Sequence, residues 1–440
     1  MSNSSTKKVV LPLDILLYIL DCVDGDDPSS LYNCALAGHA LLPHTRICLY
    51  RSITLMGQGR AIANARTLSC TLTDHPALGS LVRSLTISRF TASDADEIDD
   101  AVISPRVLPW NLFISLRTLS LEWVQLMNTE SLVVVISMLP RLERLVCYMV
   151  WDELRSSRLR LDPPSDHPLD SDGMQFIPDP SQFPTIREIV VKLGGWSHSV
   201  LVDRLLQDGG RSLLGLQMIN VSFEGAAQVL PWISVIHAAR TSLSAISVST
   251  GDRAHALTET VPQWAVARAD QHPSYHAYTL NTIAQCPALR FLHLRFRPDT
   301  FLQDPPSEGF FELLCALFER RPPPFPVFEH LKLKMVDRAG RLMSITDELC
   351  ARLAGSLLDR QRYSAFRRLT LRVEPQVWND HHELWSSRFA AFQLDELRDA
   401  LVTRWRAAFA AFDRAPGVVL DVDVYRIPTF ADSGSITTAN

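Results

Sequence analysis

PVFEHLKL, residues 326–333, is the stretch that decides the fold. It runs Pro326, one residue, apolar Phe328, two residues, apolar Leu331, one residue, apolar Leu333. Proline lacks an amide hydrogen and clashes with the preceding turn, so it ends a helix. The alternation Leu331-Lys332-Leu333 is the period of a strand with one buried face. The same triplet recurs as Val82/Leu85/Ile87, Leu116/Leu119/Leu121, Leu142/Leu145/Cys147 and Ile186/Ile189/Val191. It continues as Leu213/Leu216/Met218, Leu243/Ile246/Val248, Leu289/Leu292/Leu294 and Phe366/Leu369/Leu371. A tenth, looser copy is Leu420/Val422/Val424. Pro140, Pro184 and Pro287 stand where Pro326 does, two residues ahead of the first apolar position. The same period turns Arg295 and Lys332 away from the core.

The central apolar positions are spaced by 34, 26, 44, 27, 30, 46, 39, 38 and 51 residues. Most gaps hold a helical pattern: Thr129 to Leu139, with Leu132, Val135, Ile136 and Leu139 on one face; Glu312 to Phe318; and Thr346 to Leu358. Strand then helix, repeated, predicts an α/β fold of parallel strands with outer helices. A closed barrel and a doubly wound enzyme fold also alternate strands and helices, but neither explains the proline-led triplet. The triplets resemble the L-x-x-L-x-L core of leucine-rich repeats. That resemblance implies an irregular solenoid over about residues 56–426, with an insertion at about 155–183, and a surface for binding a partner. The family continues with Asn or Cys three residues past the last apolar position. Here Val124, Val150, Gly194, Arg297 and Val336 stand there, so the family's asparagine ladder is absent.

Composition limits the function classes. The chain has 440 residues, 47% of them hydrophobic, enough for a large core. A net charge of −5 argues against general nucleic-acid binding and against a polybasic membrane anchor. The eight cysteines form no C-x-x-C pair and most sit among apolar residues, which reads as reduced, buried thiols in a cytoplasmic or nuclear protein. The apolar stretch Val9–Leu20 is broken by Pro12 and Asp14 and is too short to span a bilayer. Asn220-Val-Ser222 reads as a chance glycosylation match.

Residues 1–8 and 427–440 read as disordered tails, and residues 9–55 as a helical segment. Pro12 and Asp14 suit a helix start, and Ser29 or Ser30 suits the cap of a second helix carrying Leu31, Cys34 and Leu36. A third helix is expected from about Leu41 to Tyr50, then a strand, Ser52-Ile-Thr-Leu55. So small a helix trio cannot bury all its apolar residues alone; the solenoid or a partner must cover the rest. Leu11-Pro12, Ile15, Ile19, Leu20, Leu31, Cys34, Leu36 and Leu49 resemble an F-box, and Leu49-Tyr-Arg-Ser-Ile53 resembles the end of that segment in mushroom-type (basidiomycete) fungal proteins. The resemblance implies the substrate-recognition subunit of an SCF-type ubiquitin ligase: no enzyme and no cofactor. It implies docking on a Skp-family adaptor within a cullin complex through Leu11, Pro12, Ile15, Ile19, Leu20, Leu31 and Leu36, with a protein target on the solenoid. One stretch departs from the family, which has Val-Cys-Arg-x-Trp where this chain has Ala37-Gly38-His39-Ala40-Leu41. The alternative is a repeat scaffold that no longer binds the adaptor. A third reading, an α/β enzyme, lacks a site in the sequence.

Other motifs fall short of chemistry. Gly57-Gln-Gly59 lacks the third glycine of a dinucleotide loop, and no P-loop, G-x-S-x-G or H-E-x-x-H is present. His272, His276, His381 and His382 lack further ligands at metal spacing, and Asp94–Asp100 lacks the glycine and terminal glutamate of an EF-hand. No metal site is expected. Gly251–Tyr275 reads as an irregular stretch, Arg320–Pro326 as a stiff connector, and Leu394, Leu397, Leu401, Trp405 and Phe412 as the buried stripe of an end cap.

Overall fold

A computed structural model describes residues 12–23, 28–56, 61–90, 108–126, 129–148, 150–152, 183–192, 198–223, 226–250, 275–296, 308–338, 345–376 and 388–424. The expected tails, Leu11, Gly57-Gln-Gly59, Asp94–Asp100, the insertion up to 182, residues 251–274 including His272, and His381-His382 lie outside them. The chain divides into two compact units: residues 1–186 with 194–201, and residues 187–193 with 202–440.

The first unit opens with three helices, α1 (Leu13–Cys22), α2 (Pro28–Ala37) and α3 (Leu42–Arg51). Pro12 precedes α1, and Asp14 sits in its first turn, where the helix dipole favours a negative charge. Helix α2 begins at Pro28, so Ser29 and Ser30 lie inside its first turn and do not precede it. Helix α3 runs directly into β1 (Ser52–Met56). Then follow α4 (Ala61–Asp74), α5 (Pro76–Gly79), β2 (Ser84–Phe90), β3 (Thr118–Leu126), α6 (Thr129–Ser137), β4 (Arg144–Tyr148) and the two-residue β5 (Trp151–Asp152). Strands β1 to β4 pair in parallel in sequence order, and β5 pairs the end of β3. Strand β1 is therefore the first strand of the sheet, although it follows the helical segment without a break.

The second unit holds β6 (Glu188–Lys192) and most of α7 (His198–Gly210), then β7 (Met218–Phe223), α8 (Ala226–Ala238), β8 (Ala245–Thr250), α9 (Tyr275–Ile283) and β9 (Phe291–Phe296). It continues with α10 (Glu308–Phe318), β10 (His330–Arg338), α11 (Asp347–Leu358), β11 (Arg368–Gln376), α12 (Arg388–Ala408), α13 (Ala410–Asp413) and β12 (Val419–Val424). Its strands also pair in parallel and in sequence order. A doubly wound sheet reverses its order at a switch point, and neither unit does so. Helix α8 packs on α9, α9 on α10 and α10 on α11, so the helices form a layer over one face of the strands.

Each triplet does the same local work. Leu85, Leu119 and Leu145 lie side by side in register and are buried, as are Ile87, Leu121 and Cys147. In the second unit Ile246, Leu292, Leu331 and Leu369 form one buried row and Val248, Leu294, Leu333 and Leu371 the next. One copy is out of frame. Ile219, not Leu216, pairs with Ile189, so the true triplet is Leu216/Ile219/Val221 and Met218 is not a core position. The cause is a further buried position three residues ahead of the triplet: Phe113, Leu139, Leu213, Cys286, Phe325 and Tyr363 occupy it. The first triplet residue donates its amide to the carbonyl there, as in Leu116 to Phe113, Leu142 to Leu139, Leu216 to Leu213 and Phe366 to Tyr363. Apolar residues thus recur every three positions through the turn, and composition alone does not choose the frame.

A backbone ladder joins the strands at their N-terminal ends, away from the asparagine positions. The carbonyl of Arg83 accepts from the amides of Arg117 (2.8 Å) and Thr118 (3.0 Å), and that of Arg117 from Glu143 and Arg144. The second unit repeats this at Gln217, Ser244, Arg290 and Glu329, each accepting from two successive amides of the next strand. The family's asparagine positions hold Val124 and Val150, both buried. Val124 follows Trp123, which has φ 56° and lies beside Arg89 (φ 59°) on β2. These left-handed residues shift the alternation by one, so Val124 and Leu126 point inward after Leu119 and Leu121.

Aromatic rings close the C-terminal end. Phe318, Phe325, Phe328, Tyr363 and Phe366 are buried in mutual contact, and the Tyr363 hydroxyl donates to the Phe318 carbonyl at 3.1 Å. From the expected stripe, Leu401, Trp405 and Phe412 are buried core. Residues 320–326 connect α10 to β10, with Phe325 buried beneath them.

Candidate docking face and adjoining cleft

The three N-terminal helices are short, and their described side chains make a small core: Leu20, Leu31 and Thr45 are buried. The apolar residues left over lie outside. Leu13, Ile15, Tyr18 and Ile19 on α1, Tyr32 and Leu36 on α2, and Ile47 on α3 are exposed. Ile15 and Ile19 sit one helical turn apart, each 47% exposed, and Leu36 is 85% exposed. Large aliphatic and aromatic side chains concentrated on so short a segment are costly to leave in water and prone to association.

The expected docking residues therefore separate into two groups. Pro12, Ile15, Ile19 and Leu36 are exposed, whereas Leu20 (3% exposed) and Leu31 (1%) hold the helices together and are closed to a partner as they stand. Leu13, Tyr18 and Tyr32 belong to the exposed set, and the sequence reading missed them. Their signal was available: Tyr18 and Ile19 both follow Ile15 within one helical turn. Of the stretch Ala37–Leu41, Ala37 ends α2 and Gly38–Leu41 form the turn into α3, closed by the Leu41 amide donating to the Gly38 carbonyl at 3.0 Å.

A cleft of about 640 Å³ lies between the ends of α1 and α3 and the starts of the first three strands. Arg51, Arg83 and Arg117 line it, each directly ahead of its strand. The backbone ladder stacks them: Arg83 donates its amide to the Arg51 carbonyl at 2.9 Å, and Arg117 to the Arg83 carbonyl at 2.8 Å. Arg117 also pairs with Glu143 at 3.5 Å. Asp21, Cys22 and Cys48 line the same cleft.

Asp21, Cys48 and the nearby His44 form a cluster that the sequence did not suggest. Their ligand atoms lie within 4.8 Å of one another. His44 Nε2 is 3.1 Å from Asp21 Oδ1, and the Cys48 thiol donates to Asp21 Oδ1 and to the Leu20 carbonyl, both at 3.9 Å. Histidine and cysteine one turn apart on α3, facing a carboxylate on α1, is a donor set of the type that suits zinc. In the structure as it stands, the same contacts tie α1 to α3. Burial and then the Asp21 charge raise the Cys48 thiol above its ordinary 9.0, so the sulfur keeps its proton and donates. The His44–Cys48 spacing was visible in the sequence; Asp21, on another helix, was not.

Among the described residues no helix is long and apolar enough to cross a membrane. The chain matches no protein-family model, and no curated protein matches it.

Proposed function

We propose that the chain is a substrate receptor of an SCF-type ubiquitin ligase. The N-terminal helices dock on a Skp-family adaptor, and the parallel strands and helices form an irregular leucine-rich-repeat solenoid that holds the target. The observation that carries this reading is the exposure of Ile15, Ile19 and Leu36 on helices that resemble an F-box. Had those helices served only to cap the repeats, the same residues would be packed inward. Such a protein performs no chemistry; it raises the effective concentration of a target near the transferring enzyme. A specific adaptor interface buries about 800 Å² per partner, and the exposed residues on α1 and α2 provide the apolar centre for one.

The test is co-purification of the full chain with a Skp-family adaptor. The wild type is retained, and Ile19→Asp and Leu36→Asp each weaken retention at least tenfold without altering the circular dichroism spectrum. Absence of retention by a folded wild-type chain, where a standard F-box binds, discards the proposal. One observation favours the alternative of a repeat scaffold: Ala37–Leu41 lacks the bulky aromatic of the F-box pattern. That alternative predicts a folded chain that binds a target and ignores the adaptor.

A further inference from the structure

The second unit carries another surface, on the sheet face opposite its core. Strand register places Asn220, Ser247, His293, Lys332 and Thr370 in one lateral row. The neighbouring row holds Ser222, Ser249, Arg295, Lys334 and Arg372. Lys192 on β6 follows Val191, whose partner is Val221, and so stands at the level of Ser222. The result is a trough two strands wide, floored by hydroxyls, with Lys192 on one side and Arg295, Lys332 and Lys334 on the other.

Arg295, Lys334 and Arg372 stand side by side on adjacent parallel strands, about 4.8 Å apart. The chain carries a net charge of −5, so the cluster does not reflect a generally basic surface. Its field registers at His293, whose ring is lowered from 6.5 to about 4, first by burial and then by Lys332, Lys334, Lys192 and Arg295, all in the same direction. His293 Nδ1 lies 3.0 Å from the Ser247 hydroxyl. In the tautomer in which Ser247 donates to Nδ1, Nε2 carries a hydrogen. That Nε2 is buried and has no partner among the described residues, and the same holds for Ser249 Oγ. Unsatisfied buried polar atoms are costly, and here two of them share a floor with converging cations.

We propose that this face binds an acidic, extended segment of a partner protein. Its side-chain oxyanions rest against Lys332, Lys334 and Arg295, over the floor that holds Ser249 and His293. Exposed Phe291, one row away in the same strand as His293, offers an apolar anchor beside the charges. The contiguous basic residues span β9 to β11, about 10 Å at strand spacing, and Lys192 stands apart from them on β6 across the hydroxyl floor. The basic stretch ends at Asp421 and Asp423, which pair with Arg368 at 3.1 Å and Arg372 at 3.8 Å. A nucleic acid needs a longer basic track and would meet this acidic border. The proposal supplies the target side of the receptor reading, yet it is tested without the adaptor, so the two fail separately.

The experiment is fluorescence anisotropy of the full chain against three labelled probes of about ten residues: a Glu/Asp-rich peptide, a phosphoserine peptide and single-stranded RNA. Binding of either peptide supports the proposal, and the stronger of the two identifies the anion. Lys332→Glu/Lys334→Glu weakens that binding at least tenfold, Lys332→Gln/Lys334→Gln weakens it less, and Arg406→Glu on α12 leaves it unchanged. Binding also falls as salt rises from about 50 to about 200 mM. Absence of peptide binding, equal binding by the glutamate variant with its fold intact, or preference for RNA overturns it.

Discussion

Gly79 and Gly355 make opposite cases for the same substitution. A methyl group at Gly79 would stand 2.8 Å from the Leu112 carbonyl oxygen and 2.9 Å from Leu112 Cβ, inside the first unit's core. Backbone must shift to admit it, so Gly79→Ala costs about 1–3 kcal/mol. Gly355 lies on the exposed side of α11 with nothing within 4 Å, and Gly355→Ala gains about 0.5–1 kcal/mol from lower chain entropy. Urea titration of the two variants reads both signs. His293 makes a second prediction at this scale. Its ring takes a proton at 6.5 when unfolded and at about 4 when folded, because burial and then the neighbouring lysines oppose the charge. Between those values the unfolded chain binds more protons. The ring's contribution is complete above pH 6.5 and is lost as pH falls towards 4, on the order of 3 kcal/mol in all. In His293→Gln that part of the pH dependence disappears from the unfolding midpoint. The thiols give a third. All eight are free; burial pushes Cys147, Cys286 and Cys350 up to about 12 and Cys315 to about 11. A thiol reagent therefore modifies exposed Cys22 and Cys70 in the native chain and reaches those four only on unfolding. Rapid native labelling of Cys147 would contradict the packing.

Elements were legible wherever a local rule was sufficient. Proline-led triplets announced the strands, and the helical spacing from Thr346 to Leu358 announced α11, which Thr346 caps by accepting the Leu349 amide. The tenth triplet, loose in sequence, proved to be β12, paired in parallel with β11 through Leu369 and Leu420. What escaped depended on neighbours. Leu213/Leu216/Met218 was out of frame because the buried turn position before each triplet is also apolar, and only pairing with β6 separates the two frames. The basic trough was half visible, since Arg295 and Lys332 were turned outward by period alone. Their alignment with Lys334, Lys192 and the serine floor needed the lateral register. The Asp21, His44 and Cys48 cluster needed two helices brought together. The C-terminal stripe tests how much one element holds. Trp405 stacks on Phe311 at 6.2 Å and on Phe409 at 6.1 Å, both buried. Trp405→Ala leaves that space empty and costs about 3–5 kcal/mol. Hydrogen exchange should show β12, which pairs only with β11 among the described residues, losing protection before β10 does. Equal loss across both strands would mean that the stripe does not brace this edge.

At the scale of the molecule, two surfaces of different chemistry lie in two different units. The candidate docking face on α1 and α2 is mainly apolar, with exposed Asp14 at its edge; the trough on β6 to β11 is polar and cationic. Their physics predicts different responses. An apolar interface is tuned mainly through dissociation and tolerates salt, whereas a charged one is tuned through encounter and weakens with salt. If the receptor reading holds, the two functions separate cleanly by substitution. Ile15→Asp/Ile19→Asp abolishes retention on the adaptor and leaves anisotropy with the acidic peptide within twofold of wild type. Lys332→Glu/Lys334→Glu does the reverse. Raising salt from about 50 to about 200 mM lowers peptide affinity severalfold and changes adaptor retention little. The double set, carried out on full-length chains with matching circular dichroism, has a definite failing outcome. If the aspartate pair weakens peptide binding as much as the glutamate pair does, the helices and the trough serve one site, and the division of labour between adaptor and target is wrong.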